Sequence, residues 1–355
     1  MTVRVNKSAF NIREKLSELE RPIGVKGNEL MRAETAQEAR DLVSAGRKNL
    51  IINGDFRISQ RGDYTSSAVT AGHDSYWLDR WMSLKNGTTS TVQRVTRTVN
   101  GISQYVARIE CTVATTGATG IFGFAQRVEL SSIPVGRTLT ASAWVRTNHP
   151  YVGFRTNTFQ GSGGDRGVKV TPDGNWHRIY WTFDSTGTTN SAVGGDILIV
   201  AYNNTSVNIA VGDYIEIAEV QLEVGKNATE FEHRSYGEEF ALCQRYFQSI
   251  GNINFHTWGH DIADTTGMRI APWSWPGGPM RVSPTLSYDD GNGNANRFNV
   301  RDSDEANGST NVAMSISKNQ YGILTGFKYP YAVSGFSKGQ SGYAAVENLT
   351  LSAEL

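Results

Sequence analysis

The chain reads as a mainly β protein: a jelly-roll-type antiparallel β-sandwich, with a short helical N-terminal segment before it and a C-terminal β-rich domain, opened by one helix, after it. Three observations predict this. Apolar and polar residues alternate with period two through many short runs, the pattern of strands buried on one face. Turn chemistry is abundant, with 37 glycines against 9 prolines and breaks such as "PDGNW" and "TTGATG" between the runs. The pattern then changes to helical spacing late in the chain, within "QLEVGKNATEFEHRSYGEEFALCQRYFQS" at 221–249.

Residues 1–48 carry the helical patterns. Ser8 or Asn11 can cap "AFNIREKLSELE", where Ile12, Leu16 and Leu19 form one apolar stripe before Pro22 stops the helix. "TAQEARDL" offers a capping box between Thr35 and Glu38, ends on Leu42 with Val43 directly after it, and meets Gly46 as a stop. Helices shorter than about 15 residues are marginal alone, so Ile12, Leu16, Leu19, Leu42 and Val43 are candidate attachment residues that need a partner.

Residues 49–234 supply the sandwich. In "QYVARIECTV" Tyr105, Ala107, Ile109, Cys111 and Val113 share a face; in "TLTASAWV" Leu139, Ala141, Ala143 and Val145 do. The same spacing predicts inward faces of Ile179, Trp181 and Phe183, and of Ala218, Val220, Leu222 and Val224. "DILIVAY" is apolar on both faces and predicts a central strand.

The third unit, 235–355, opens on Ser235 and Glu238 at capping-box spacing. Phe240, Cys243, Tyr246, Phe247 and Ile250 then form a helical stripe of about three turns, expected to lie near a threefold axis. Strands return in "MRVSPTLSY", "NVAMSISKNQYGILTGF" and "SGYAAVENLTLSAEL".

Composition excludes several classes of function. Lys plus Arg and Asp plus Glu both number 34, so there is no electrostatic case for nucleic acid. No run of about eighteen apolar residues exists for membrane insertion, and the N-terminus lacks a signal peptide's apolar region. Cys111 and Cys243 sit in apolar-periodic stretches and are expected to fill cores.

Chemical motifs are weak. His256 and His260 stand four apart, but Gly259 argues against the helix a zinc pair needs, and "DDGNGN" lacks the turn glycine and closing glutamate of a calcium loop. The glycine loop "GSGGDRG" lacks a strand-then-helix context, and "RGD" at 61–63 is too short to carry adhesion. No nucleophile, metal set or cofactor motif emerges. The distal aromatics Trp258, Trp273, Trp275, Tyr329 and Tyr331 lie in glycine- and proline-rich stretches, where flat rings suit sugar C–H faces or the closing of a trimer end.

Three stretches together resemble bacteriophage tail fibres and receptor-binding tail proteins: "NLIINGDFRISQRG" followed by "YWLDRW", the strand-to-helix segment at 221–247, and the ending "NLTLSAEL". The resemblance implies a carbohydrate-binding-type sandwich and a virion component, usually trimeric, with no catalytic residue and no cofactor. The expected protein is therefore a non-enzymatic tail fibre, made in the host cytoplasm and located in the virion tail. It would join other tail proteins through residues 1–48, and bind a host-surface polysaccharide through the distal aromatics. The alternatives are a glycan depolymerase on the same tail, which 34 scattered carboxylates neither support nor oppose, and an architectural connector.

Overall fold

A computed structural model describes residues 48–114, 120–129, 136–156, 169–185, 195–202, 208–257, 280–289, 295, 297–302, 308–313, 315–318, 324–328 and 342–354. Residues 1–48 and 49–355 form two compact units, and the described structure belongs almost wholly to the second.

Two antiparallel sheets make the sandwich. The first has six strands in the order β1 (Val69–Thr70), β4 (Thr89–Val99), β5 (Ile102–Val113), β11 (Tyr214–Val224), β7 (Thr138–Thr147), β9 (His177–Asp184). The second has five, ordered β2 (Ser75–Leu78), β3 (Trp81–Asn86), β6 (Ile121–Val128), β10 (Gly195–Tyr202), β8 (Val152–Arg155). Between them lies a continuous core that includes Ile109, Leu139, Val145, Ile179, Ile215 and Leu222 from one sheet and Phe122, Phe124, Phe154, Ile197 and Ile199 from the other. Trp77 lies 5.9 Å from Phe124, and Phe56 5.0 Å from Trp81, as ring pairs within that core.

The expected inward faces are present on β7 and β9, and on β5 for Ala107, Ile109 and Cys111, which is buried as expected. Tyr105 and Val113, expected on the same face, are 37% and 55% exposed, with Arg94 4.4 Å over the Tyr105 ring. β10 has a neighbour on both sides and buries both its faces, which is why it reads as apolar throughout. On β11 the expected face fails at one residue. Ile215 and Ile217 point inward, but a register shift between Ala218 and Gln221, with Glu219 at φ 49°, inserts an extra residue. Val220 and Leu222 therefore regain the core while Ala218 packs outside with Val99 and Val106. Alternation alone cannot register such a parity change.

The helix α1 (Tyr236–Gln244) starts as predicted: Ser235 is extended, and its hydroxyl accepts the Glu238 amide at 3.3 Å. It is shorter than the apolar spacing suggests. Phe247 and Ile250 belong instead to strand β12 (Phe247–Thr257), which pairs with β18 (Gly342–Ser352). The backbone turns out of the helix at Arg245 because the ladder to β18 takes over, so the expected helical stripe is really half helix and half strand. β18 also pairs with β13 (Thr285–Asp289) and β14 (Arg297–Asp302), and β14 pairs with β15 (Gly308–Ala313). A hairpin of β16 (Ser315–Lys318) and β17 (Leu324–Lys328) completes the described strands.

The three stretches that resemble tail proteins meet at one junction. Asn53 stands at φ 57°, fully buried. Its Nδ2 donates to the carbonyls of Ile58 (2.9 Å) and Asp79 (3.0 Å), and its Oδ1 accepts the Ile58 amide (3.0 Å). Trp81 Nε1 donates to the Asn53 carbonyl at 2.8 Å, and the Asn53 amide donates to Glu239 on α1. Arg234 bonds the carbonyls of Ile51 and Asn49 and pairs with Glu239 at 3.2 Å. Arg80, essentially buried, pairs with Glu354 just beyond β18 and lies 3.6 Å over the Tyr246 ring. Arg61 reaches the same carboxylate at 2.9 Å and lies 3.8 Å over Phe247. "RGD" is thus a structural corner, its Arg61 committed to Glu354 and its Asp63 accepting the Thr65 amide.

Tyr246 and Phe247, part of the stripe expected to face a neighbouring subunit, are buried against these arginines within one chain. The Tyr246 hydroxyl donates to Glu129 at 2.9 Å. Burial, reinforced by the Glu129 carboxylate against Arg80 and Arg245, pushes the phenol from 10.0 to about 12. The unfolded chain releases this proton at lower pH than the folded one, so the contribution is intact below pH 10.0 and disappears as pH climbs towards about 12. Urea midpoints measured across that interval should fall, and Tyr246→Phe should flatten the decline. An equally steep decline in the variant would mean that another group governs it.

Candidate functional site

All the site residues expected from sequence fall outside the described residues: Trp258, Trp273, Trp275, Tyr329 and Tyr331, and likewise Ile12, Leu16, Leu19, Leu42 and Val43. The described residues bring together a different set, on the outer face of the five-stranded sheet.

Strand pairing builds this face row by row. Met82 on β3 stands opposite Ala125 on β6, Ala125 opposite Leu198 on β10, and Leu198 opposite Arg155 on β8. The next row is Leu84, Gly123, Val200 and Gly153, so two of its four positions carry no side chain. Arg127 faces Asp196 on one flank, and Asn86 faces Ile121 on the other. Of these, all but Gly123, Val200 and Gly153 line a groove of about 250 Å³, together with His73 and Asp74 from the turn before β2.

The groove has an apolar floor and polar walls. Met82, Leu84, Ala125 and Leu198 form a second packed cluster, separate from the main core, with Val200 beneath and Tyr76 and Ile121 against it. Around it stand His73, Asp74, Asn86, Arg127, Arg155 and Asp196. Thr156 Oγ1 donates to Asp196 at 3.3 Å, which orients that carboxylate at the rim. Gly123 is required here: a Cβ on it would lie 2.3 Å from the Ile199 carbonyl oxygen and 2.7 Å from the Val200 Cα. The groove floor thus depends on close approach of β6 to β10.

Chemically, such a surface can hold a small amphipathic ligand by contact with its apolar face and hydrogen bonds to its edge. Among the described residues, no group of three or more His, Cys, Asp or Glu is placed to hold a metal ion. The thiols offer no reactive site either: both are buried, and burial pushes Cys111 up and Cys243 well up. On the opposite sheet, Glu216 is fully buried beneath Arg108 (2.8 Å), Arg97 (3.0 Å) and Arg146 (3.3 Å), a closed ion cluster that ties β4, β5, β7 and β11 together.

A signal for the groove was present in the sequence. "DILIVAY" keeps Leu198 and Val200 apolar at positions facing away from the core, and charges close the outward face at Asp196 and Arg127. Only the register, however, sets Arg155 beside Leu198.

The sequence matches no family model, and comparison with curated proteins gives no match. Solved structures give matches of low overall similarity. The enzymatically active domain of bacteriophage CBA120 tailspike protein 4 shares 14% identity over 50% of this chain and 21% of its own, with a TM-score of 0.31. This chain therefore spans about a fifth of that tailspike chain. The module TmCBM61, solved with β-1,4-galactotriose, shares 15% over 50% of this chain and all of its own length, at a TM-score of 0.30. A family 11 carbohydrate-binding module of a Clostridium thermocellum cellulase shares 16% over 46% of this chain, at 0.28.

Proposed function

We propose that the protein is a tail-fibre component of a phage that binds a host-surface saccharide in the groove of the five-stranded sheet without cleaving it. In this reading residues 1–48 attach it to the virion, and the assembled form is a homotrimer. The observation that carries the binding role is the groove itself: an apolar floor of Met82, Leu84 and Leu198 ringed by hydrogen-bonding side chains, on a sheet face whose core is already complete on the other side. Sugar rings present apolar C–H faces and hydroxyl edges, which match floor and walls. The tail role rests on the resemblance of the three stretches, and their meeting at one junction gives it a physical basis: they are the parts that lock the sandwich to the distal sheet. Repeated on three subunits, weak sites would give strong adsorption.

The test is Asn86→Trp, which places a large ring at the exposed rim of the groove. Thermal unfolding should be nearly unchanged, while adsorption to host cells and retention by host polysaccharide should fall about tenfold or more. Normal adsorption would favour an architectural connector. A falling polysaccharide molecular weight on incubation would overturn the non-enzymatic reading and favour a depolymerase.

A further inference from the structure

We infer that the groove selects an acidic saccharide, and that Arg155 receives the carboxylate of a uronic or ulosonic acid residue; this rests on the saccharide reading above.

Arg155 is set apart by what it does not touch. Among the arginines whose side chains are described, the others are engaged: Arg57 with Asp55, Arg61 and Arg80 with Glu354, Arg97, Arg108 and Arg146 with Glu216, Arg178 with Glu230, Arg234 with Glu239, Arg245 with Glu129. Arg94 and Arg281 bond carbonyls, and Arg127 and Arg137 have partners too. Arg155 alone among them has no hydrogen bond or ion pair to the described residues, and its Nε is buried without an acceptor. A buried Nε without an acceptor also occurs on Arg57, Arg61, Arg80, Arg94 and Arg234, but each of those groups is held by another bond or ion pair. On Arg155 the whole fork is left open beside the groove, a cost that a ligand oxygen would remove.

Position decides the kind of ligand. Arg155 is held by the β8 ladder opposite Leu198, so its fork lies at the edge of the apolar floor rather than on a mobile loop. A sugar ring resting on Leu198 and Met82 would present its exocyclic carboxylate sideways to that fork, and a planar carboxylate fits a guanidinium through two parallel hydrogen bonds. The charge around the groove sets an upper limit. Asp74 and Asp196 stand with Arg127 and Arg155 on the same walls, so a dense polyanion such as nucleic acid meets repulsion as well as attraction. One carboxylate per sugar, separated by neutral rings, suits this balance.

The experiment uses the full chain in affinity electrophoresis and calorimetry against oligomers of galacturonic, mannuronic and N-acetylneuraminic acids, their carboxyl-reduced counterparts, and a phosphomannan. At least one carboxylated oligomer should bind, more weakly as salt rises, and carboxyl reduction should weaken it about tenfold or more. Arg155→Gln should produce the same loss without lowering thermal stability, since no partner is abandoned, and Arg155→Lys should recover part of the affinity. Neutral and acidic oligomers bound alike, with Arg155→Gln without effect and Asn86→Trp blocking both, would overturn the acid preference while leaving the groove as the site. Binding of the phosphomannan alone would overturn the carboxylate assignment. Failure of all the probes to bind would overturn both readings, and loss in Arg155→Gln without loss in Asn86→Trp would remove the ligand from the groove.

Discussion

Replacing Glu354 by Gln is expected to cost about 3–5 kcal/mol of unfolding free energy, because it removes the charge that compensates a buried arginine. Arg80 is 1% exposed, and the Glu354 side chain 7%. Arg80 has other contacts, a bond to the Arg127 carbonyl and the Tyr246 ring beneath it, but among the described residues no second carboxylate is paired with it. Arg61 loses the same partner, although at 14% exposure it is nearer to solvent and loses less. Burial raises the cost of the unpaired charge, which is why this pair should matter more than the exposed ones such as Arg178 with Glu230. Urea unfolding at constant m-value measures the loss. The double variant Arg80→Met/Glu354→Leu should be less unstable than the sum of its parts, since two apolar side chains remove the unpaired charge together. A loss under about 1 kcal/mol in Glu354→Gln would mean that the junction is solvated well enough to tolerate the charge.

Asn53→Ala should be comparably severe, at about 3 kcal/mol or more. Three side-chain hydrogen bonds disappear, and they strand the Ile58 amide and the Ile58 and Asp79 carbonyls in a fully buried site. Alanine also carries a Cβ into a φ of 57°, where asparagine is among the few side chains that sit readily. Asn53→Gly separates the two causes: it relieves the backbone but not the bonds, and should recover about 1 kcal/mol relative to alanine. Equal losses in the two variants would assign the whole effect to hydrogen bonding.

Period-two spacing was sufficient for the sandwich, since burying one face of a strand leaves a direct mark on sequence. It identified the inward residues of β7 and β9, the middle of β5 from Ala107 to Cys111 and the doubly buried β10, but not that Tyr105 and Val113 on β5 are exposed. It misplaced Ala218 because a bulge shifts parity without altering composition. It extended the helical stripe to Phe247 and Ile250 because both residues are apolar in either structure, and only the ladder to β18 chooses between them. The groove was half legible. Leu198 and Val200 announced an apolar outer face, whereas Arg155, Asn86 and His73 lie on separate strands and a turn with no shared spacing, and only folding brings them to one wall. The junction was legible as unusual sequence but not as chemistry: nothing in "NGDFRISQRG" says that its arginine will meet Glu354.

The pairing of Arg61 and Arg80 with Glu354 also sets an order of events. These contacts span 293 and 274 residues, while the β4–β5 hairpin closes across Val99 and Ile102. Local hairpins form in microseconds, but contacts at such separation wait until the intervening chain has condensed. The junction is thus closed after both of the bodies it joins, and until then Arg80 remains hydrated and the ring of Tyr246 uncovered. A lesion in the strands of the distal sheet would be felt first as an unsealed joint, with the sandwich itself already made.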